Sequence, residues 1–66
     1  MQSIQTHPFQ EFLGEIVKAP YRDGKQLKVA RGRLEAVDSG FVKVVGNLGT
    51  LVINAKNIEK MSKVRR

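Results

Sequence analysis

The sequence predicts an all-β fold, a small SH3-type barrel of five strongly bent antiparallel strands preceded by no more than a short N-terminal helical turn. Apolar and polar residues alternate from about residue 26 onward. Turn-forming Gly, Asp and Asn residues separate these runs. A glycine, Gly32, interrupts the longest run. Because a glycine inside a strand marks a bulge or a sharp bend, one bent strand can serve both halves of a barrel.

The longest predicted strand, over residues 26–37, changes its apolar parity at Gly32. A bulge produces this change, since one extra residue turns all later side chains to the opposite face. We therefore place the bulge at the glycine and one core-facing set of side chains on each side of it. These apolar residues are Leu27 and Val29 before the glycine, and Leu34 and Ala36 after it.

Three shorter strands are expected after this one. Residues 41–45 are rich in β-branched side chains and lie between turn residues, which predicts the third strand. Residues 51–53 predict the fourth strand. After a polar break at residues 54–57, Ile58 and Met61 supply a short fifth strand.

The first third of the chain fits two patterns. Five apolar residues fall at the spacing of an amphipathic helix, and Pro8 suits a first helical turn. Against a helix, Gly14 is unfavourable in a helix interior, and alternating apolar residues lead to a turn at residues 22–25. We favour a strand over residues 13–22 after a single helical turn, with Pro20 at a bulge or with its nitrogen facing no partner. The helical set is Phe9, Phe12, Leu13, Ile16 and Val17; the strand set is Leu13, Val17, Ala19 and Tyr21.

Composition indicates one soluble domain with an excess of positive charge. The 66 residues include 12 Lys and Arg against 6 Asp and Glu, a formal net charge of +6. Such an excess favours a polyanionic partner, RNA or DNA, although Lys and Arg also serve solubility. The chain has no cysteine and no apolar run near the roughly 20 residues of a membrane span, so we expect a cytoplasmic protein.

We divide the chain into a flexible N-terminal segment (1–10), a globular domain (11–62) and a basic tail (63–66). Two basic surfaces are expected, one along the second strand and one in and near the tail. The first comprises Lys28, Arg31 and Arg33, and the second Lys60, Lys63, Arg65 and Arg66.

No residue pattern indicates catalysis, a metal or a cofactor. The only histidine, His7, lies in the N-terminal segment without acid-base partners. Glu11 and Glu15 fit a solvated face better than a paired-carboxylate site. Asp38 is expected to cap the backbone of the following turn. The sequence therefore predicts a protein that is not an enzyme.

Two segments together resemble the Sm/LSm-like family, which includes archaeal Sm-like proteins and bacterial Hfq. Gly32-x-Leu34-x-x-Val37-Asp38-x-x-Phe41 is similar to the first Sm motif, and residues 51–58 look like the second. The resemblance covers about residues 12–61. It implies the Sm fold and a homo-oligomeric ring, commonly a hexamer or heptamer, in which strand four of one subunit pairs with strand five of the next. The edge of residues 50–53 has no proline or charge to prevent such pairing.

The resemblance also implies a site for RNA, with altered chemistry. In the family a stacking side chain, an Asn and an Arg hold bases at the inner rim, and this chain has Gly40, Val42 and Asn54 at those positions. The usual uridine pocket is therefore changed. Phe41 and Tyr21 are the aromatic residues available for stacking, but Phe41 occupies a position that the family buries. The nucleic-acid-binding residues expected are Gly40, Phe41, Asn54, Lys56, Asn57, Arg31 and Arg33.

Three functions stay open at this stage. The first is a ring-forming RNA-binding protein that uses outer or tail basic surfaces. The second is a structural or protein-interaction ring without RNA binding. The third is a monomeric SH3-like barrel that binds DNA, with a particle mass near 7.4 kDa.

Overall fold

The computed structural model describes residues 8–38 and 40–64, in which five antiparallel strands form one sheet. The strand order across the sheet is β4-β3-β2-β1-β5. The all-β prediction is confirmed at this level. The strands are β1 (Ile16–Asp23), β2 (Gln26–Val37), β3 (Phe41–Gly46), β4 (Gly49–Asn54) and β5 (Ser62–Lys63).

A tight hairpin joins β1 to β2. Asp23 pairs with Gln26, so the connection is two residues long, and Gly24 supplies the positive φ of 64° that such a turn requires. Pro20 interrupts nothing, because it stays in register opposite Val29. The carbonyl oxygen of Pro20 accepts a 2.8 Å hydrogen bond from the Glu59 N–H, so the backbone polar edge of this proline faces away from β2.

Gly32 does not form the predicted bulge. Pairing with β1 continues without a shift through Gly32, and the register with β3 shifts later, between Leu34 and Ala36. Gly32 has a φ of 155°, and a β-carbon there would overlap the carbonyl of Val45. The glycine is therefore required by the close approach of β3, whereas the parity change occurs at Glu35.

This displacement overturns part of the predicted core. Ala30 and Leu34 face the core from β2, as Val37 does beyond the bulge, where it is half-buried. Leu27 and Val29 lie on the opposite face and are 59% and 51% exposed. Ala36 is exposed as well. The buried cluster, on what we call the inner face, comprises Val17, Ala19, Ala30, Leu34, Val42, Val44, Ile53, Ile58 and Met61.

Two short 3₁₀ helices lie outside the strands, one before β1 and one between β4 and β5. The first spans Pro8–Phe12, and its two phenylalanines pack against the core, so this turn crosses the expected boundary at residue 10. Leu13 precedes β1 and is exposed, which corrects the strand start predicted there. The second helix spans Ala55–Asn57, within the expected polar break. Residues 1–7, including His7, and residues 65–66 of the tail lie outside the described part.

The fifth strand is later and shorter than predicted. Ile58 forms only an isolated bridge with Tyr21, and Met61 precedes β5. Both side chains are nevertheless buried, because the segment crosses the end of the core before it pairs with β1. β4 and β5 are the two edges of the sheet, and among the described residues they do not pair with each other.

Candidate nucleic-acid interface

The start of β3 and the end of β4 meet at one end of the sheet, which we call the β3–β4 pole (residues 40–41 and 54–57). Phe41 pairs with Asn54 across the two strands. The Ala55 N–H donates a 2.9 Å hydrogen bond to the carbonyl oxygen of Gly40, so the contact continues past the strand pair. Five of the seven predicted binding residues are therefore brought together here, although 13 positions separate Phe41 from Asn54 in sequence.

Phe41 is exposed, which corrects the expectation of a core position. Its side chain is 48% exposed, whereas the next residue, Val42, is fully buried. Strand alternation explains the difference, since Val42 pairs with core residue Ile53 and Phe41 must face the other way. An aromatic ring with an open face is suitable for stacking on a base. Tyr21, the other candidate, is half-buried against the core.

The β3–β4 pole also carries exposed polar residues. Asn54 is exposed and precedes the 3₁₀ helix, and its side chain makes no capping hydrogen bond. Lys56 and Asn57 are exposed as well, while Ala55 between them and Asn54 is buried. The pole therefore offers an aromatic surface, two amides and one ammonium group. Gly40 contributes backbone only, and Val42 is sequestered in the core, so neither can bind a base through a side chain.

Arg31 and Arg33 lie apart from the β3–β4 pole, in the middle of β2. Both are exposed on what we call the outer face, the side of the sheet opposite the core. Both contribute to a shallow depression of about 420 Å³ that Ile16 and Val45 also line. The side chain of Arg33 is 4.0 Å from the carboxylate of Glu35, and both groups are largely exposed.

Lys28 does not belong with these arginines. Alternation along β2 places Lys28 on the same face as Ala30, where it pairs across the strands with Tyr21 of β1. Its ammonium group is 2.7 Å from the Asp23 carboxylate. That hydrogen bond, followed by the Coulombic attraction of the same carboxylate, raises the pKa of Lys28 above its ordinary value of 10.5. The predicted basic surface along β2 is thus divided between two faces.

Sequence reasoning missed two basic residues of the outer face. Lys18 lies directly opposite Arg31, and Lys43 lies on β3 two residues from Phe41. Alternation along β1 and β3 indicates which face each lysine occupies. Their closeness to the arginines depends on the register between strands, which the sequence of a single strand does not reveal. In the tail region, Lys60 and Lys63 are exposed.

Other kinds of site find no support within the described residues. They contain no group of three or more His, Cys, Asp or Glu that could hold a metal ion. No helix in this part of the chain is long and apolar enough to cross a membrane. Asp38 closes the β2–β3 turn through its N–H, which donates to the carbonyl oxygen of Phe41 at 2.8 Å, while the predicted cap involves residue 39, outside the described part.

Comparison of the chain with protein-family models, with curated proteins and with solved structures yields no match.

Proposed function

We propose that this chain is a non-enzymatic RNA-binding protein of the Sm-like type. Each copy forms a five-stranded barrel, and several copies assemble into a homo-oligomeric ring. The observation that carries the proposal is the Phe41–Asn54 pair. It presents an exposed aromatic ring beside an amide at the end of a basic sheet. Stacking on an aromatic side chain combined with positive charge is how single-stranded RNA is commonly held.

The strand order supports the assembly part of the proposal. β4 and β5 are edges on opposite sides of the same sheet, and each has an unpaired row of backbone N–H and C=O groups. Pairing β4 of one copy with β5 of the next would satisfy the short edge of β5 and part of the longer edge of β4, and repetition of this heterologous contact closes a ring. No proline or charged residue occurs from Thr50 to Ile53 to oppose it.

RNA binding is tested by fluorescence anisotropy of short labelled RNAs at several salt concentrations. Wild-type protein should bind with an affinity that falls as salt rises, because phosphate contacts release counterions. Phe41→Ala should weaken binding at least fivefold, because one stacked base contributes about 1–3 kcal/mol. Leu48→Ala, at an exposed turn, serves as the control for loss of an exposed apolar side chain. Absence of salt-sensitive binding at micromolar protein would refute the proposal.

A protein-interaction ring without RNA binding is the second candidate. Gly40 and Val42 favour it, because neither can bind a base through a side chain, and the polar side chains at the β3–β4 pole are then Asn54, Lys56 and Asn57. The double variant Asn54→Ala/Lys56→Ala separates the two functions: weaker RNA binding supports the first, and unchanged affinity removes the pole from the mechanism. Light scattering measures the assembly independently, since a monomeric SH3-like barrel would have a mass of 7.4 kDa.

A further inference from the structure

Four basic side chains form a connected row on the outer face, which we call the basic row. Arg31 pairs directly with Lys18 on β1, and Arg33 follows Arg31 on the same face of β2. Arg33 pairs with Val45 on β3, and Lys43 is the next residue of β3 on that face. Beyond Lys43 the same alternation reaches Phe41, so the row begins beside the β3–β4 pole and crosses three strands.

The arrangement of the basic row is unfavourable for the isolated chain. Like charges directly opposite each other on neighbouring strands repel, as Lys18 and Arg31 do here. Neither of them, nor Lys43, has a carboxylate of the described residues within 4.0 Å. By contrast, Lys28 of β2, which lies on the opposite face, has an acidic partner at 2.7 Å. Uncompensated cations placed side by side across a sheet indicate a surface that is completed by an external anion.

The shape of the outer face is compatible with an extended anionic chain. Arg31 and Arg33 border the depression of about 420 Å³, which Gly32 and Gly46 also line. A β-carbon at either glycine would overlap the backbone of the neighbouring strand, so these glycines bring β2 and β3 close together. Glu35 lies at the rim and contacts Arg33 at 4.0 Å, and an exposed pair of this kind contributes little and is readily exchanged for a phosphate.

We propose that the basic row binds the sugar-phosphate backbone of a single-stranded nucleic acid whose base is stacked on Phe41. This inference rests on the proposed RNA-binding function and adds the path and the strandedness of the ligand. From Phe41 to Lys18 the path is about 29 Å, taking about 6.6 Å between alternate residues and about 4.8 Å between strands. Such a path accommodates about four to five nucleotides, within the range of known single-strand sites.

Strandedness follows from combining the β3–β4 pole with the basic row. A single strand can present an unpaired base to Phe41 and successive phosphates to the row at the same time. A duplex keeps its bases stacked and paired, so it can engage the charges but not the aromatic ring. RNA and DNA share the phosphodiester chemistry that the row recognises, and both sources enter the test as separate arms.

The first experiment compares ligands by anisotropy at matched sequence and salt. Single-stranded RNA should bind at least tenfold more tightly than its duplex, and affinity should rise with length up to about five nucleotides and more slowly beyond. If single-stranded DNA binds as tightly as the RNA, the row recognises the phosphodiester backbone that both share. If the DNA binds more weakly, the row is specific for RNA. Either result supports single-strand binding. Equal or tighter binding of the duplex overturns the inference.

The second experiment tests the basic row by charge removal. Lys18→Thr and Arg31→Thr should each weaken binding several-fold and lower the slope of log affinity against log salt by about 0.7, the value for one phosphate contact on a single strand. Lys25→Thr, at the tip of the β1–β2 hairpin, removes the same charge away from the row and should leave the slope unchanged. Equal losses of affinity in all three variants would mean that only the net charge matters, and would overturn the proposal that the basic row binds the ligand.

The third experiment predicts a gain. Glu35→Gln frees Arg33 and should tighten binding about twofold to fivefold. Glu11→Gln, on the 3₁₀ helix whose phenylalanines pack on the inner side, changes the net charge equally and should have no comparable effect. Loss of binding in Phe41→Ala together with unchanged binding in the row variants would refute the row while leaving the proposed function intact. Absence of RNA binding by the wild type would refute both.

Discussion

The inner and outer faces of the same sheet differ in chemistry: the inner face is apolar and closely packed, and the outer face carries exposed positive charges and an exposed aromatic residue. On the inner face small and branched apolar side chains interlock, and no charged group of the described residues is buried there. On the outer face Lys18 and Arg31 lie side by side, and Phe41 exposes about half of its surface. Packing explains the first face. On the second face, the nucleic acid proposed above would compensate the neighbouring positive charges.

Close packing leaves no room for a side chain at Gly32, so substitution of this residue should cause the largest loss of stability. Gly32→Ala would place a methyl group against the Val45 carbonyl at a φ that side chains rarely adopt. We expect a loss of about 3 kcal/mol in the free energy of unfolding, enough to unfold much of so small a domain. Chemical denaturation followed by circular dichroism measures this loss.

Gly40→Ala provides the matched control. A β-carbon at Gly40 meets no atom within 4 Å, so stability should change by no more than about 0.5 kcal/mol. Similar losses in the two variants would mean that the close approach of β2 and β3 does not require a glycine at position 32.

Leu34 and Leu27 compare the two faces with the same residue type on the same strand. Leu34 is fully buried and Leu27 is 59% exposed. Leu34→Ala should cost about 2–5 kcal/mol, whereas Leu27→Ala should cost about 0.5 kcal/mol or less. Urea denaturation of both variants tests this comparison, and equal losses would contradict the assignment of the faces.

Lys18 predicts a smaller effect of opposite sign. Lys18→Thr removes repulsion from Arg31 and introduces a residue favourable in strands, so the folded state should gain about 0.2–1 kcal/mol. The gain should shrink at high salt because screening already weakens the repulsion. Thermal denaturation at low and high salt measures both effects. If Lys18→Thr is less stable than wild type and binds RNA with unchanged affinity, Lys18 is not kept on the outer face for binding at a cost in stability.

The Lys28–Asp23 pair predicts the smallest effect. The pair raises the pKa of Lys28 above 10.5, so its stabilisation is present below pH 10.5 and is lost as the pH rises through the raised value. Asp23→Asn should return the pKa of Lys28 toward its ordinary value, as NMR titration of the lysine side chain would show. The unfolding free energy of wild type should then fall more steeply above pH 10.5 than that of the variant.

Alternation and turn chemistry predicted the strands well where they act locally. The bounds of β2 agree with residues 26–37, and the all-β class follows from such runs. The placement of side chains on faces failed at Leu27, Val29 and Ala36, because the bulge lies at Glu35 and its position depends on the pairing of β2 with β3, which local sequence does not contain. The core position of Phe41 was expected from the family resemblance, and strand alternation overturns it.

The candidate site was predictable in part for the same reason. The two motif segments indicated Phe41 and Asn54, and the structure places them opposite each other. Lys18 and Lys43 carried no motif, and their relation to Arg31 and Arg33 appears only when three strands are aligned. Residues grouped by register across a sheet are invisible to any search along the chain.

The unpaired edge of β4 makes premature association a hazard for this protein. Thr50 to Ile53 is a short β-prone run without charge or proline, the type of segment that nucleates aggregates when it finds the wrong neighbour. A net charge of +6 keeps copies apart in dilute solution. A polyanion that neutralises this charge also removes the protection, so nucleic acid would act as a trigger for self-association. Whether the product is an ordered assembly or a precipitate then depends on which strand reaches the edge first.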